Sequence, residues 1–173
     1  MTSTAHPRSN PTSWRRIAHL NPPWNKRTEA TQHLFFHNSL QIMSTLLNCE
    51  LAHAKAWEAS RTIVMKAQEH QPGPLLVLEA ACDWKDFISQ EKLLVLFPRD
   101  GSEWIIRCAP LTKGSFRNKI DLPQTWAGLT GKALEVASGV AGASFCHRNL
   151  FMAVATSKQS ALALAQAALA QTP

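Results

Sequence analysis

Between Glu29 and Glu69 the chain has neither proline nor glycine, and apolar residues return every three or four positions. Leu40, Met43, Leu47, Leu51, Ala54, Trp57 and Val64 trace one stripe at that spacing, which predicts a helical segment over 29–71. Glu29 stands in its first turn, where a negative charge suits the exposed amides. The stretch is much longer than an ordinary globular helix, so the pattern fits either a break near Asn48 or one long scaffold. Gln71-Pro72-Gly73-Pro74 stops it, because proline lacks an amide donor and restricts its predecessor.

Beyond residue 72 the apolar runs shorten. Leu75–Leu78, Leu93–Phe97 and Trp104–Cys108 read as strands, and Asp100-Gly101 between the last two predicts an antiparallel hairpin. Cys82–Phe87 reads as a single turn or short helix. After Pro110 the chain is irregular through Gly114, Pro123 and Gly128, and then forms a short helix at Lys132–Ala137. Ser144–His147 and Phe151–Ala155 follow as strands, and Ser157 caps a last helix, Lys158–Ala170, rich in alanine and leucine. The sum is an α+β fold, a small and mainly antiparallel sheet covered by helices on one side and preceded by a long helix or a broken pair. Four sections are expected: a basic and polar, flexible tail (1–13), an extended lead-in rich in Pro and Trp (14–28) with Trp14, Ile17 and Leu20 as its expected anchors, the helical segment (29–71) and the α+β domain (72–171).

The chain's 173 residues suffice for one domain with a substantial core. No apolar run approaches a bilayer span and no secretory signal is evident, so no membrane partner is expected. The expected location is intracellular and cytoplasmic, with an organelle address in the basic beginning as the alternative. Cys49, Cys82, Cys108 and Cys146 are widely spaced in apolar settings and read as reduced core thiols. The formal charge of +6 favours encounter with an anionic partner without identifying it. Arg8, Arg15, Arg16, Lys26 and Arg27 form one basic cluster, and Lys113, Arg117 and Lys119 form another.

Seven histidines invite a metal site. His33 and His37 could share a helix face, but an HExxH arrangement is absent, and His53 and His70 have no acidic partner that spacing guarantees. No glycine-rich phosphate loop or nucleophile elbow occurs. No metal ligand and no catalytic residue is therefore assigned. His147, at the end of a short strand before Arg148 and Asn149, could contact a phosphate or be a hydrogen-bonded core residue. Trp84 and Trp126 could stack on bases or fill the core.

Ser138-Gly139-Val140-Ala141-Gly142, then Phe145, His147 and Phe151, then Ala161-Leu162, form a turn, strand, Phe-x-His, strand and helix series. With Leu20-Asn21-Pro22, Ala81-Cys82, Ser115-Phe116, Leu122-Pro123, Trp126 and Gly128-Leu129, this order resembles the melanocyte-proliferating-gene (MYG) type family, relatives of the DHH phosphoesterases. The resemblance covers roughly residues 17 to 171 and implies the second, substrate-covering lobe of a metal-dependent hydrolase or exonuclease. The metal lobe of such an enzyme lies upstream in the family, so the chain is expected to lack it. Manganese or magnesium would then act only if a partner supplied that lobe. His147, Lys119, Arg117 and Arg148 are the expected phosphate contacts. The family's site is altered at Ala153, Val154, Ala127, Thr130, Gln159 and Ser160, where glycine, arginine or glutamate is usual. The leading expectation is a non-catalytic binding or interaction module, working as a homo-oligomer or with a separate protein. The alternatives are an accessory subunit binding RNA or single-stranded nucleic acid, and half of a split phosphodiesterase.

Overall fold

A computed structural model describes residues 19–99 and 101–171. The expectations for the tail, for Trp14 and Ile17, for Arg8, Arg15 and Arg16, and for Asp100 lie outside these residues.

The helical pattern forms one continuous helix, α1 (Glu29–Glu69), with no break near Asn48. Its start is fixed by two threonines bonded reciprocally, as in a capping box: the Thr31 amide donates to Thr28 Oγ1 at 3.2 Å and the Thr28 amide to Thr31 Oγ1 at 2.8 Å. The described chain divides into two compact units between Lys55 and Ala56, inside this helix.

In the first unit, residues 19–28 run beside the start of the helix. The Ser39 hydroxyl donates to the Leu20 carbonyl at 3.2 Å, and Phe35 and Ser39 are half-buried there.

The second unit carries a five-stranded sheet in the order β1-β2-β3-β5-β4. Its strands are β1 (Leu75–Val77), β2 (Leu94–Pro98), β3 (Trp104–Cys108), β4 (Ala143–Cys146) and β5 (Met152–Ala155). β1 runs parallel to β2, and every other pairing is antiparallel, so the sheet is mixed. The expected β2–β3 hairpin is present, with Leu96 opposite Ile106. Cys82–Phe87 forms only a turn, with no helix. Two helices complete the unit, α2 (Gly131–Ser138) and α3 (Lys158–Ala170). Ser157 caps α3 by accepting the Ser160 amide at 3.1 Å.

Strand alternation sends successive side chains to opposite faces. Leu94, Leu96, Ile106, Cys108, Ala153 and Ala155 point to one face and form a buried cluster with Leu164, Ala165 and Ala168 of α3. Val95 points the other way, and with Leu76, Leu78 and Trp84 it surrounds Val64 from the last turns of α1. The sheet is therefore helix-covered on both faces at its β1–β2 end, not on one side as the pattern suggested. The reason is that Val64 continues the helical stripe into a second small core.

The edge strand β1 is closed by side chains. Gln71 pairs with Val77 as a neighbouring strand would, its amide donating to the Val77 carbonyl at 2.9 Å and its oxygen accepting the Val77 amide at 2.8 Å. Lys92, wholly buried, bonds the carbonyls of Gln71 and Gly73, the second at 2.7 Å.

Candidate functional site

β3 places Arg107 between two residues that face the α3 side, so its guanidinium emerges on the opposite face of the sheet. There it lies 4.8 Å from the centre of the Phe151 ring, and Nη1 reaches the Met152 sulfur at 3.7 Å. The Phe151 ring packs in turn against the His147 ring, with centres 4.4 Å apart. Burial pushes the Arg107 pKa below the ordinary arginine range, yet a guanidinium remains charged at neutral pH. Among the described residues no carboxylate lies within ion-pair distance of it. A half-buried cation without a counter-charge is costly to keep, so an anion from outside gains more here than at an open lysine.

Arg107 and Lys85 line two clefts on this face. One, of about 490 Å³, also holds Asp83, Asp86 and Trp57. In it Asp86 is already engaged, accepting from Trp57 Nε1 at 3.2 Å and pairing with Lys113 at 3.1 Å. The Trp57 hydrogen bond first and the Lys113 ammonium second hold the Asp86 carboxyl below its usual range. The other cleft, of about 460 Å³, is lined by Lys85, Arg107, Ser115, Phe116, Asn149 and Phe151 among others, with no carboxylate. The second is the anion-compatible one. Phe116, at its rim, is fully exposed.

The β4–β5 turn sets the histidine. The Asn149 amide donates to His147 Nδ1 at 3.1 Å, so a neutral ring carries its proton on Nε2, which is left as a donor. Leu150, in the same turn, is the one described non-glycine residue with positive φ, at 59°. It is held there because its side chain is buried, its amide donates to the His147 carbonyl at 2.8 Å, and its carbonyl accepts the Leu122 amide at 2.9 Å.

The other expected site residues are dispersed. Lys119 is not free to meet a phosphate: its ammonium donates to the carbonyls of Ser89 at 3.1 Å, Gln90 at 2.9 Å and Lys92 at 3.1 Å. Burial lowers its pKa. Arg117 and Arg148 are exposed and have no ion pair among the described residues. The expected base-stacking role of Trp126 and Trp84 gives way to packing. Trp126 is completely enclosed, its Nε1 without a hydrogen-bond partner, and Trp84 is buried beside Phe97.

Of the altered pair, Ala153 faces the α3 core, whereas Val154 is buried on the Arg107 side of the sheet. Ala127 closes the turn after Trp126, Thr130 bridges to Phe145, and Ser160 supplies the amide that Ser157 caps, with exposed Gln159 beside it. Sequence reasoning missed Arg107 and the aromatic rim at Phe116. The signal was present: a lone arginine in the apolar strand Trp-Ile-Ile-Arg-Cys needs an exit from the core.

Among the described residues no three His, Cys, Asp or Glu come together as a metal site. His33 stands on the exposed helix surface with Glu29 3.9 Å away, and the His70 ring bonds the Lys66 carbonyl at 2.9 Å. No helix among the described residues is long and apolar enough to cross a membrane.

These features define an α+β domain with one sealed sheet face and one face bearing a cationic, aromatic-rimmed cleft. The chain belongs to the MYG family, whose profile bears the description "Uncharacterised protein family (UPF0160)" and matches residues 2–169. It is 29% identical to a MYG1 exonuclease of Bos taurus, a match covering 91% of this chain and 45% of that protein. It is also 29% identical to a MYG1 protein of Dictyostelium discoideum, over 91% of this chain and 53% of the relative. A MYG1 protein of Chlamydia pneumoniae is 35% identical over 58% of this chain and 36% of its own length. The chain thus spans about half the length of the curated relatives it matches. No solved structure matches it significantly.

Proposed function

We propose that this chain is a non-catalytic binding module, akin to the substrate-covering lobe of DHH-type phosphoesterases, that captures a phosphate of single-stranded nucleic acid on its open sheet face. The observation that carries the reading is the uncompensated, half-buried Arg107 guanidinium over Phe151, in a cleft that has Lys85 but no carboxylate. His147 Nε2–H offers a second donor from the neighbouring turn, and Arg148 and Arg117 are further cations for a longer strand. Phe116 replaces Trp84 and Trp126 as the stacking ring, because an exposed aromatic face accepts any base. The name exonuclease carried by the bovine relative agrees with that ligand class.

The test is binding of a short labelled RNA across a salt series. Tight binding at low salt should fall as salt rises. Arg107→Ala should weaken it about tenfold, and Arg107→Lys should recover only part, since an ammonium lacks the two-pronged geometry. Phe116→Ala should cost roughly 1–3 kcal/mol of stacking. No binding at low salt, or equal binding by all three variants, would sink the idea.

A second reading makes the chain half of a two-lobed phosphodiesterase, with manganese or magnesium held by a partner. The relatives, about twice as long, favour it.

A further inference from the structure

The first unit presents a surface unrelated to the cleft. Along α1, Phe36, Leu40, Met43, Leu47 and Leu51 remain open, from 50% exposed at Leu40 and Leu51 to 60% at Phe36 and Leu47. At helical pitch these five fall within roughly 80° of arc and span roughly 22 Å. The side next to them is occupied: residues 20–22 lie against Phe35 and Ser39 in a pocket that Met43 also lines. The stripe itself is left uncovered among the described residues of that unit, and a contiguous row of large apolar side chains is unfavourable in water.

Two properties identify what fits it. From Ala30 to Cys49 there is no Asp, Glu, Lys or Arg. Lys26 and Arg27 lie only at its upstream end, and along the stripe itself no lysine or arginine is available to the anionic headgroups of a lipid surface. A strongly charged partner helix would likewise find no counter-charge. A second copy laid antiparallel meets no like charge within these residues, and Glu50, just beyond them, falls opposite His37 and not opposite its own copy. The stripe is also nearly palindromic in spacing. Placed antiparallel about a two-fold axis between Met43 and Ser44, Phe36 faces Leu51 of the second copy and Leu40 faces its Leu47. That is the self-matching condition of an isologous interface.

We propose that residues 36–51 of α1 form an antiparallel helix pair with a second copy of this chain.

The test uses the full chain at concentrations up to roughly 100 µM, far above the Kd of a stable pair. Sedimentation should give the mass of two 19.1 kDa chains. The double variant L40E/L47E should sediment as one chain with an unchanged circular-dichroism spectrum, because both positions are exposed in the single chain. In a Cys49→Ser background, Met43→Cys should cross-link two copies under mild oxidation, whereas Phe36→Cys should not. A two-chain mass that survives L40E/L47E places the interface elsewhere and overturns the proposal. So does a single-chain mass at every concentration. If only a variant lacking residues 1–18 pairs, the chain's own beginning covers the stripe, and the proposal again fails.

Discussion

The two faces of the sheet share the same strands, yet they answer to different demands. On the α3 side Leu94, Leu96, Ile106, Cys108, Ala153 and Ala155 are buried, and Leu96, Ile106 and Ala153 cluster with Leu164 and Ala165. On the other side the same strands contribute Arg107, Met152 and the buried Val154, and Val64 and Trp84 close the β1–β2 end. One residue step along β3, from Ile106 to Arg107, separates a side chain with no exposure from a half-buried cation that has no ion pair among the described residues. The lesson is that strand alternation lets one short segment serve stability and ligand capture without mixing them.

The contrast is sharpest under substitution. Leu96→Ala on the sealed face should destabilise the fold by about 2–5 kcal/mol in urea titrations, through lost burial and a residual cavity. Arg107→Met, one strand away on the open face, should leave the unfolding midpoint nearly unchanged or raise it, since it removes an uncompensated charge. If Arg107→Met proves as damaging as Leu96→Ala, the open face is structural and the contrast collapses. An intermediate case is Lys92, a buried cation that is fully engaged. Lys92→Met should cost roughly 1–3 kcal/mol by stranding the carbonyls of Gln71 and Gly73.

The smallest effect concerns acid. The Gly142 amide first and Lys132 second hold the Glu135 carboxyl below its usual range, and Asp86 is lowered as described. A group with a depressed folded pKa stabilises above its unfolded value, about 4 for these carboxyls. That stability is lost as pH falls through the lower, folded value. Asp86→Asn and Glu135→Gln should therefore shallow the loss of thermal stability below about pH 4 and change its pH dependence little above pH 6. A slope that is unaltered in both variants would show that neither contact matters to the fold.

Much of this architecture was legible in the chain. The strands at Trp104–Cys108 and Phe151–Ala155 and the helix at Lys158–Ala170 fall within one residue of their predicted bounds, because alternation and alanine content are local signals. The parallel β1 and the second core around Val64 were not legible, since both depend on where distant segments meet. The site divides similarly. The position of His147 at a strand end could be read, but the capture of Lys119 by three carbonyls of residues 89–92 depends on tertiary placement that spacing does not encode. Arg107 was hidden because a strand reading credits its apolar neighbours and treats the charge as an interruption.

The sealing of Lys92 gives the molecule an internal gauge. An amine with no solvent exposure cannot meet a water-borne acylating reagent unless the edge around β1 first parts from β2. The rate at which that one amine becomes modified, compared with the exposed Lys85, thus measures how often this margin of the sheet breathes while the rest stays closed.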